Sequence, residues 1–348
     1  MLFASENIYN IEGKNEIPEY LAKIWNNFKL DVKLPLDKAM VLISDTGRVI
    51  GIVGFYRNII KGLAIDPDFQ GENVTGKLLT WAIEEIKLKR YSNFLVYTNP
   101  KNIGIFASFN FNLIEKTTNV ALLERGNPDF NDFLNDLKEI RNNLNYSSSS
   151  CIIMNCNPMT NGHLYLIEKA SSICEHLFVF ILEEDLSYFP FKYRFEIVKK
   201  ATAHLNNVTI LPSSQYIISA ATFPDYFLKD LPKEQVHAEL DVAIFGGKIA
   251  PILEIKKRFV GNEPYCAVTS RYNEIMKEIL PTYNIEFIII ERKEFQGKAI
   301  SASTVRQLIR ENNFEEIKKI VPPATYEFLI SNEAIPIINE IRSTSKRH

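Results

Sequence analysis

The run from Cys151 to His163, CIIMNCNPMTNGH, constrains the fold of this chain more than any other stretch. Cys151 to Cys156 is apolar apart from Asn155, which is the pattern of a short strand buried on both faces. Asn157-Pro158 breaks it, and Leu164, Ile167, Ala170 and Cys174 follow at helical spacing. Thr160 and His163 then fall on a strand-to-helix turn, with Gly162 removing a side chain where another group must approach. A helix start presents free N–H groups and partial positive charge, and is a ready seat for phosphate. A histidine there can donate a hydrogen bond to charge developing on a phosphoryl oxygen. A lone histidine at a helix start would read as a cap or an interface residue. Strand, Asn-Pro break, Thr-x-Gly-His and amphipathic helix in succession point instead to nucleotide chemistry.

At 348 residues the chain exceeds a typical single core and implies two domains. A net charge of −2 shows no basic excess, so nucleic acid is not an implied partner. The four cysteines, Cys151, Cys156, Cys174 and Cys266, form no C-x-x-C pair. Three lie in apolar strand or helix patterns, which fits buried, reduced thiols in a cytosolic protein, and no metal ligand is assigned. The first residues meet charge before any apolar core of signal-peptide length. The longest apolar runs, such as Leu177 to Leu182 and Phe287 to Ile290, are too short to span a bilayer. A soluble, cytoplasmic protein with no membrane partner is expected.

Residues 1–127 read as one unit: a helix from Pro18 to Phe28, then strands Ala39 to Ser44 and Val49 to Tyr56 joined at Asp45-Thr46-Gly47. The strand Ile60 to Ile65 leads through DPDFQGENVTG into a helix, Lys77 to Lys89. Phe94 to Tyr97, a short helix, and Asn119 to Glu124 complete it. A helix from Asp129 to Asn145 and the run Ser147 to Ser150 make a linker over 128–150. From Cys151 to the end, strands alternate with helices through Phe178 to Leu182, Arg194 to Leu205, Val208 to Leu211, Tyr226 to Leu231, Val242 to Phe245, Ile285 to Glu291 and Ser303 to Asn312. Such alternation predicts an α/β domain with a parallel sheet over 151–348.

Two further segments belong with the turn. Lys192 and Arg194 open a helix in FPFKYRFEIVKKATA, and Ser301, Ser303 and Thr304 open another in AISASTVRQL, with Arg306 in its first turn. Hydroxyls and N–H groups at a helix start suit phosphates, and Arg306 could neutralise a pyrophosphate leaving group. Alone, the serines read better as N-caps, and Lys192 and Arg194 equally well as a solvated helix start. Together these residues resemble the nucleotidyltransferase superfamily, with its (H/T)-x-G-H and I-S-S-T-x-x-R motifs. NPMTNGHLYLIEKA and ATAHLNNVTIL are similar to phosphopantetheine adenylyltransferase. SQYIISAATFPDYFLK, KRFVGNEPYCAVTSRYNEIM and GKAISASTVRQLI resemble the citrate lyase ligase family, and that likeness runs across the whole chain.

That resemblance implies a Rossmann-like second domain that uses ATP with Mg²⁺ to adenylate acetate. The acetyl group then passes to the thiol of a dephospho-coenzyme-A-like arm on the citrate lyase acyl carrier subunit, and AMP is released. It implies Thr160, His163 and Arg306 as catalytic contacts. Asn157, Pro158, Gly162, Lys192, Arg194, Ser301, Ser303 and Thr304 would bind ATP. Acetate is ionised at neutral pH, since carboxyl pKa values lie near ~4, so its attack needs no general base. Lys248, Arg258 and Arg271 are further candidates for substrate contacts, or equally for surface and salt-bridge roles.

In the first half, IDPDFQGENVTGKLLTW and NPKNIGIFASFNF resemble the GCN5-related acetyltransferase fold, an α+β domain whose Gly-rich loop grips coenzyme A pyrophosphate. Gln70 and Gly71 match that loop, but Asn73 and Thr75 replace its later small residues. Phe106 stands where the family often has a tyrosine acid, and it cannot donate a proton. A binding role is therefore expected in place of acetyl transfer, with Gln70, Gly71, Asn73, Thr75, Gly76 and Lys77 holding the carrier arm; the other reading is a structural domain with a decayed groove. Two other readings stay open: an adenylyltransferase for a phosphorylated cofactor precursor, and a non-catalytic nucleotide-binding regulator.

Overall fold

A computed structural model describes residues 5–70, 73–183, 187–218, 223–228, 231–262, 267–295 and 298–344. The chain divides into two units: Met1–Asn135 with Phe223–Ala243, and Asp136–Thr222 with Ile244–His348. The division expected from sequence gives 223–243 to the second domain, whereas this return segment packs within the first unit.

The first unit is built on one seven-stranded sheet. Its strands are β1 Ser5–Asn10, β2 Lys38–Ile43, β3 Val49–Tyr56, β4 Ile59–Ile65, β5 Asn93–Thr98, β6 Asn112–Lys116 and β7 Ala121–Gly126, in the order β1-β2-β3-β4-β5-β7-β6. The β2–β3 hairpin turns where expected, with Gly47 at φ +82° supplying the left-handed residue. Strand β2 alternates between two cores. Met40 and Leu42 face helix α2 (Val74–Leu88), while Ala39 and Val41 face helix α1 (Glu19–Asn27) and its buried Trp25. That two-sided burial explains why β2 is apolar from Ala39 to Ile43 instead of alternating with polar residues. All neighbouring pairs are antiparallel except β4–β5. That parallel ladder spans only Ile59–Leu95 and Ile60–Val96, although both strands continue. Helix α3 (Ile103–Ala107) and helix α4 (Phe130–Asn142) follow β5 and β7.

The second unit has a five-stranded parallel sheet of β8 Ser149–Met154, β9 His176–Ile181, β10 Val208–Pro212, β11 Ile255–Gly261 and β12 Glu286–Ile290. The order β10-β9-β8-β11-β12 means that the chain winds outward one way from β8, then crosses over and winds outward the other way from β11. Crevices outside the carboxyl ends of strands at such a switch point are where open parallel sheets bind ligands. Helices α5 (Asn161–Ser171) and α6 (Phe191–Ala201) bury Ile167, Ala170, Ile197 and Val198 against β8 and β9. Helices α10 (Ala302–Arg310), α11 (Phe314–Ile320), α12 (Pro323–Leu329) and α13 (Ile335–Ser343) form a separate core with Tyr188 and Phe189. The α+β first unit and parallel α/β second unit match the fold class expected.

Several local expectations fail. Ser149 and Ser150 are not linker but the first, buried residues of β8, where Ser149 Oγ donates to Leu253 O. Val242 to Phe245 is not a strand: it ends helix α7 (Lys233–Ile244) and enters a π-helical turn, Phe245–Ile249, before the short α8 (Ala250–Ile252). A short apolar run is compatible with either state, and here Gly246 decides the packing. A Cβ at Gly246 would lie 2.7 Å from the Tyr283 ring. In place of the helix expected from Tyr226 to Leu231, Tyr226 and Phe227 form a turn, and 229–230 lie outside the described residues. Strand β11 escapes a reading by pattern, because IKKRFVG carries three charges in seven residues. Helix α9 (Ala267–Ile279) separates it from β12.

Gly126 offers a direct stability test. Its φ is +115°, and a Cβ there would meet Ser92 O at 2.0 Å. Gly126→Ala should destabilise the first unit by more than about 2 kcal/mol, read as a lowered urea midpoint.

Candidate active site

The loop after β8 is shaped by one buried cation. Arg194, in the first turns of α6, is fully buried. Its Nη1 donates to Asn155 O at 2.7 Å, Asn155 Oδ1 at 2.7 Å and Leu182 O at 2.8 Å, and its Nε donates to Phe189 O at 2.8 Å. A buried guanidinium is tolerable only with such compensation. The sequence suggests an ATP contact for Arg194. The structure instead aims these donors at backbone and amide oxygens of the chain itself, so Arg194 fastens the ends of β8 and β9 to the start of α6. Asn157 extends the fastening: its Oδ1 accepts from Phe189 N–H at 3.1 Å, and its carbonyl accepts from Arg306 Nη1.

With the loop held, Thr160 becomes the N-cap of α5. Its Oγ1 accepts from His163 N–H at 3.4 Å, and its own N–H donates to His163 Nδ1 at 3.0 Å, a reciprocal capping box. A backbone N–H only donates, so Nδ1 must be the acceptor nitrogen. The neutral imidazole therefore carries its proton on Nε2. Burial, with the charge of Arg292 behind it, lowers the His163 pKa to about 4. The residue as a whole is half-buried, and its imidazole stays neutral at physiological pH with Nε2–H as its donor.

Gly162 brings a second helix start to the same place. A Cβ at Gly162 would lie 3.0 Å from Ile300 O, so glycine permits the start of α5 to approach the segment entering α10. Ser301 caps α10, its Oγ accepting from Thr304 N–H at 3.1 Å. Ser301 Oγ lies 2.8 Å from both Ser303 Oγ and Thr304 Oγ1, and the latter two residues are exposed. Two helix N-termini and a hydroxyl cluster thus converge beside a neutral histidine, which is an anion seat by dipole and donor count.

Thr160, Gly162, His163, Asn157, Ser301, Ser303, Thr304 and Arg306 are brought together, with Pro158 buried in the connecting loop. Arg306 is 5% exposed, over the Tyr188 ring at 5.9 Å. Lys192 is exposed at the start of α6, its Nζ 5.7 Å from the Tyr193 ring. Cys156 is buried, which pushes its thiol pKa up to about 12 and leaves it no nucleophile. Arg292, which follows β12, escapes the sequence reading. Its place at the carboxyl end of the last parallel strand is the available signal. Arg258 lies buried on β11 over the Phe245 ring, and Arg271 pairs with Glu274 at 2.9 Å.

The residues around Gln70 lie in the first unit. Gln70 ends a short 3-10 turn, and Asn73, at φ 59°, starts α2. A Cβ at Gly76 would lie 2.4 Å from Asn73 Oδ1, and Lys77 pairs with Glu6. Thr75 is half-buried in the first turn of the helix. Gly71 lies outside the described residues.

A family model for the citrate lyase ligase C-terminal domain matches residues 149–329, which contain β8 through α12. A citrate (pro-3S)-lyase ligase from Klebsiella pneumoniae is 35% identical over 306 residues, 86% of this chain and 89% of that protein. Its Escherichia coli counterpart is 36% identical over 324 residues, 90% of this chain and 89% of that protein. The chain belongs to the citrate lyase ligase family. As a member it is an enzyme, a ligase. A phosphopantetheine adenylyltransferase from Streptococcus gordonii is 33% identical over 103 residues, 28% of this chain and 63% of that protein. Among the described residues, no helix of this citrate lyase ligase family member is long and apolar enough to cross a membrane.

The depressed His163 pKa has a measurable sign. An unfolded histidine takes up a proton near 6.5, whereas the folded one waits until about 4. The unfolded state therefore binds more protons in that window, and this residue's contribution falls as pH drops from 6.5 towards 4. His163→Gln should flatten the pH dependence of urea-unfolding stability across that interval.

Proposed function

We propose that the chain adenylates acetate with ATP and transfers the acetyl group to the thiol arm of the citrate lyase acyl carrier subunit. In the first step an acetate oxygen attacks the α-phosphorus, and the bond to the β-phosphate oxygen breaks, releasing pyrophosphate. In the second, the arm's thiolate attacks the acetyl carbon and the carbon–oxygen bond to AMP breaks; the thiol proton goes to solvent. The observation that carries this reading is the convergence of the α5 and α10 starts beside the neutral Nε2–H of His163. Thr160, His163 and the amides of α5 would receive the α-phosphate. Ser301, Ser303, Thr304 and Arg306, with the exposed Lys192, would receive the outgoing pyrophosphate. Asn157, Pro158, Gly162 and Arg194 would hold that geometry. Mg²⁺ would travel with ATP, since its usual ligands are phosphate oxygens, water and one or two carboxylates.

The test is isotope exchange between ATP and pyrophosphate, with and without acetate, followed by acetylation of the thiol-bearing carrier. Exchange should require acetate, and AMP should form in step with carrier acetylation. Exchange without acetate would identify an adenylyltransferase of cofactor precursors, and no exchange with any acceptor would identify a regulator. His163→Ala should slow acetate-dependent exchange on the order of 100-fold, the scale of losing one donor to developing oxyanion charge.

Gln70, Gly71, Asn73, Thr75, Gly76 and Lys77 would hold the phosphate end of the dephospho-coenzyme-A-like arm at the start of α2. Gly71→Trp should then impair acetyl transfer to the carrier while leaving acetate-dependent exchange intact. Equal loss of both activities would count against an arm-binding role.

A further inference from the structure

The loop from β8 to α5 is gripped at alternate residues by helices far along the chain. Arg306 Nη1, on α10, donates to Asn157 O. Asn161 Nδ2 donates to Lys319 O, near the end of α11, at 3.1 Å. Between them Thr325 Oγ1, on α12, donates to Met159 O at 3.0 Å. Thr325 and Met159 are both fully buried, so this carbonyl has no recourse to water and depends on a donor from the chain. Helix α12 is itself held on two sides. Leu329 lies in the core that α10 to α13 share, while Ala324 and Phe328 pack on the core of β8 and β9.

Met159 O and Thr160 N–H are the two ends of one peptide group. The group is planar, so a rotation that moves one end moves the other. Thr325 holds the oxygen end. The N–H end donates to His163 Nδ1 at 3.0 Å. Thr160 Oγ1 also lies 3.0 Å from Nδ1, but a hydroxyl donates or accepts and so tolerates either tautomer. The amide is the contact that bars a proton from Nδ1. A carbonyl that accepts a hydrogen bond also polarises its own amide, which strengthens the N–H as a donor. A hydroxyl on α12 is thus felt at the imidazole through a single peptide group.

We propose that Thr325 is a positioning residue for adenylation: by anchoring the Met159–Thr160 amide it keeps the His163 proton on Nε2, facing the phosphoryl oxygen. The proposal rests on the adenylating role given to His163 above. Without the hydroxyl, the Met159 carbonyl turns towards another donor and the Thr160 N–H swings off Nδ1. The imidazole then exchanges its proton through solvent, losing it from Nε2 and regaining it on Nδ1, where Thr160 Oγ1 accepts it. A bare Nε2 lone pair repels a phosphoryl oxygen where Nε2–H would attract it. The helices that follow α10 therefore act on the reaction through the histidine's tautomer.

Two variants of the full chain test this. Thr325→Val keeps the side chain's shape and removes the hydroxyl, whereas Thr325→Ser keeps the hydroxyl. Nitrogen-15 NMR without ATP or acetate reads the tautomer from the two ring-nitrogen shifts of His163. The unmodified chain and Thr325→Ser should show the Nε2–H pattern, and Thr325→Val a mixture of tautomers. In acetate-dependent ATP–pyrophosphate exchange, Thr325→Val should lower kcat on the order of ten-fold, the scale of a misplaced catalytic group, with the KM for ATP unchanged. Thr325→Ser should restore kcat. Arg342→Gln removes bonds from α13 to Ile309 O and Asn312 Oδ1, loosening the same helices elsewhere, and should leave the His163 signals in place. If Thr325→Val does not fold, Thr325→Ala, a better helix former, carries the same comparison. An unchanged tautomer or kcat on loss of the hydroxyl, the same tautomer shift in Arg342→Gln, or no restoration by Thr325→Ser would each overturn the proposal. Absence of exchange in the unmodified chain would instead count against the adenylating reading, since the NMR comparison needs neither substrate.

Discussion

The guanidinium of Arg194 is the interaction on which the geometry of the second unit's candidate site rests. A cation removed from water costs several kcal/mol unless its donors are met, and here they meet oxygens of Asn155, Leu182 and Phe189. The planar fork reaches three separate segments at once, which a lysine's single ammonium could not do with the same geometry. Its position in the first turns of α6 also opposes that helix's own dipole. Such a cost is offset by the shape it imposes: the ends of β8 and β9 and the entry to α6 become one rigid corner. The Thr160–His163 capping box hangs from that corner, so the direction of Nε2–H depends on a residue that faces away from solvent.

From that corner the site assembles by subtraction as much as by contact. Gly162 removes the one Cβ that would hold α5 off Ile300 O, and two helix starts separated by about 140 residues of chain come together. Arg306 closes the arrangement from the other side by binding Asn157 O, so the β8 loop and α10 move as a pair. Arg292 then has a double effect. It adds positive potential near an anion seat, and it reinforces burial in keeping His163 neutral by raising the cost of a second charge.

Legibility in the sequence follows the range of the interactions. Thr160, Gly162 and His163 are readable because cap, box and helix are all contained in one short stretch of chain. The identity of Arg194 is visible but its role is not, because the oxygens it binds come from three places in the chain. Strand β11 is hidden by Lys256, Lys257 and Arg258. Lys256 is exposed, Lys257 lies 3.9 Å from Glu286 on β12, and the arginine lies over the ring of Phe245, none of which leaves a strand pattern in the sequence. The return of Phe223–Ala243 to the first unit is illegible for the same reason in stronger form. Nothing local to Tyr226 announces that its hydroxyl reaches a strand 129 residues earlier.

A neutral histidine suits the proposed adenylate formation better than a charged one would. An imidazolium would attract the phosphates of bound ATP as strongly as those of the transition state, and binding both equally lowers the concentration needed without speeding the step. In the first step proposed above, a neutral Nε2–H would make a modest hydrogen bond to a phosphoryl oxygen that would strengthen as acetate adds its charge to the α-phosphorus. The backbone of Thr160 matters here as much as its side chain, since its N–H occupies Nδ1 and fixes the tautomer. The same contact leaves His163 without a free basic nitrogen, which fits a first step whose nucleophile arrives already ionised and needs no base.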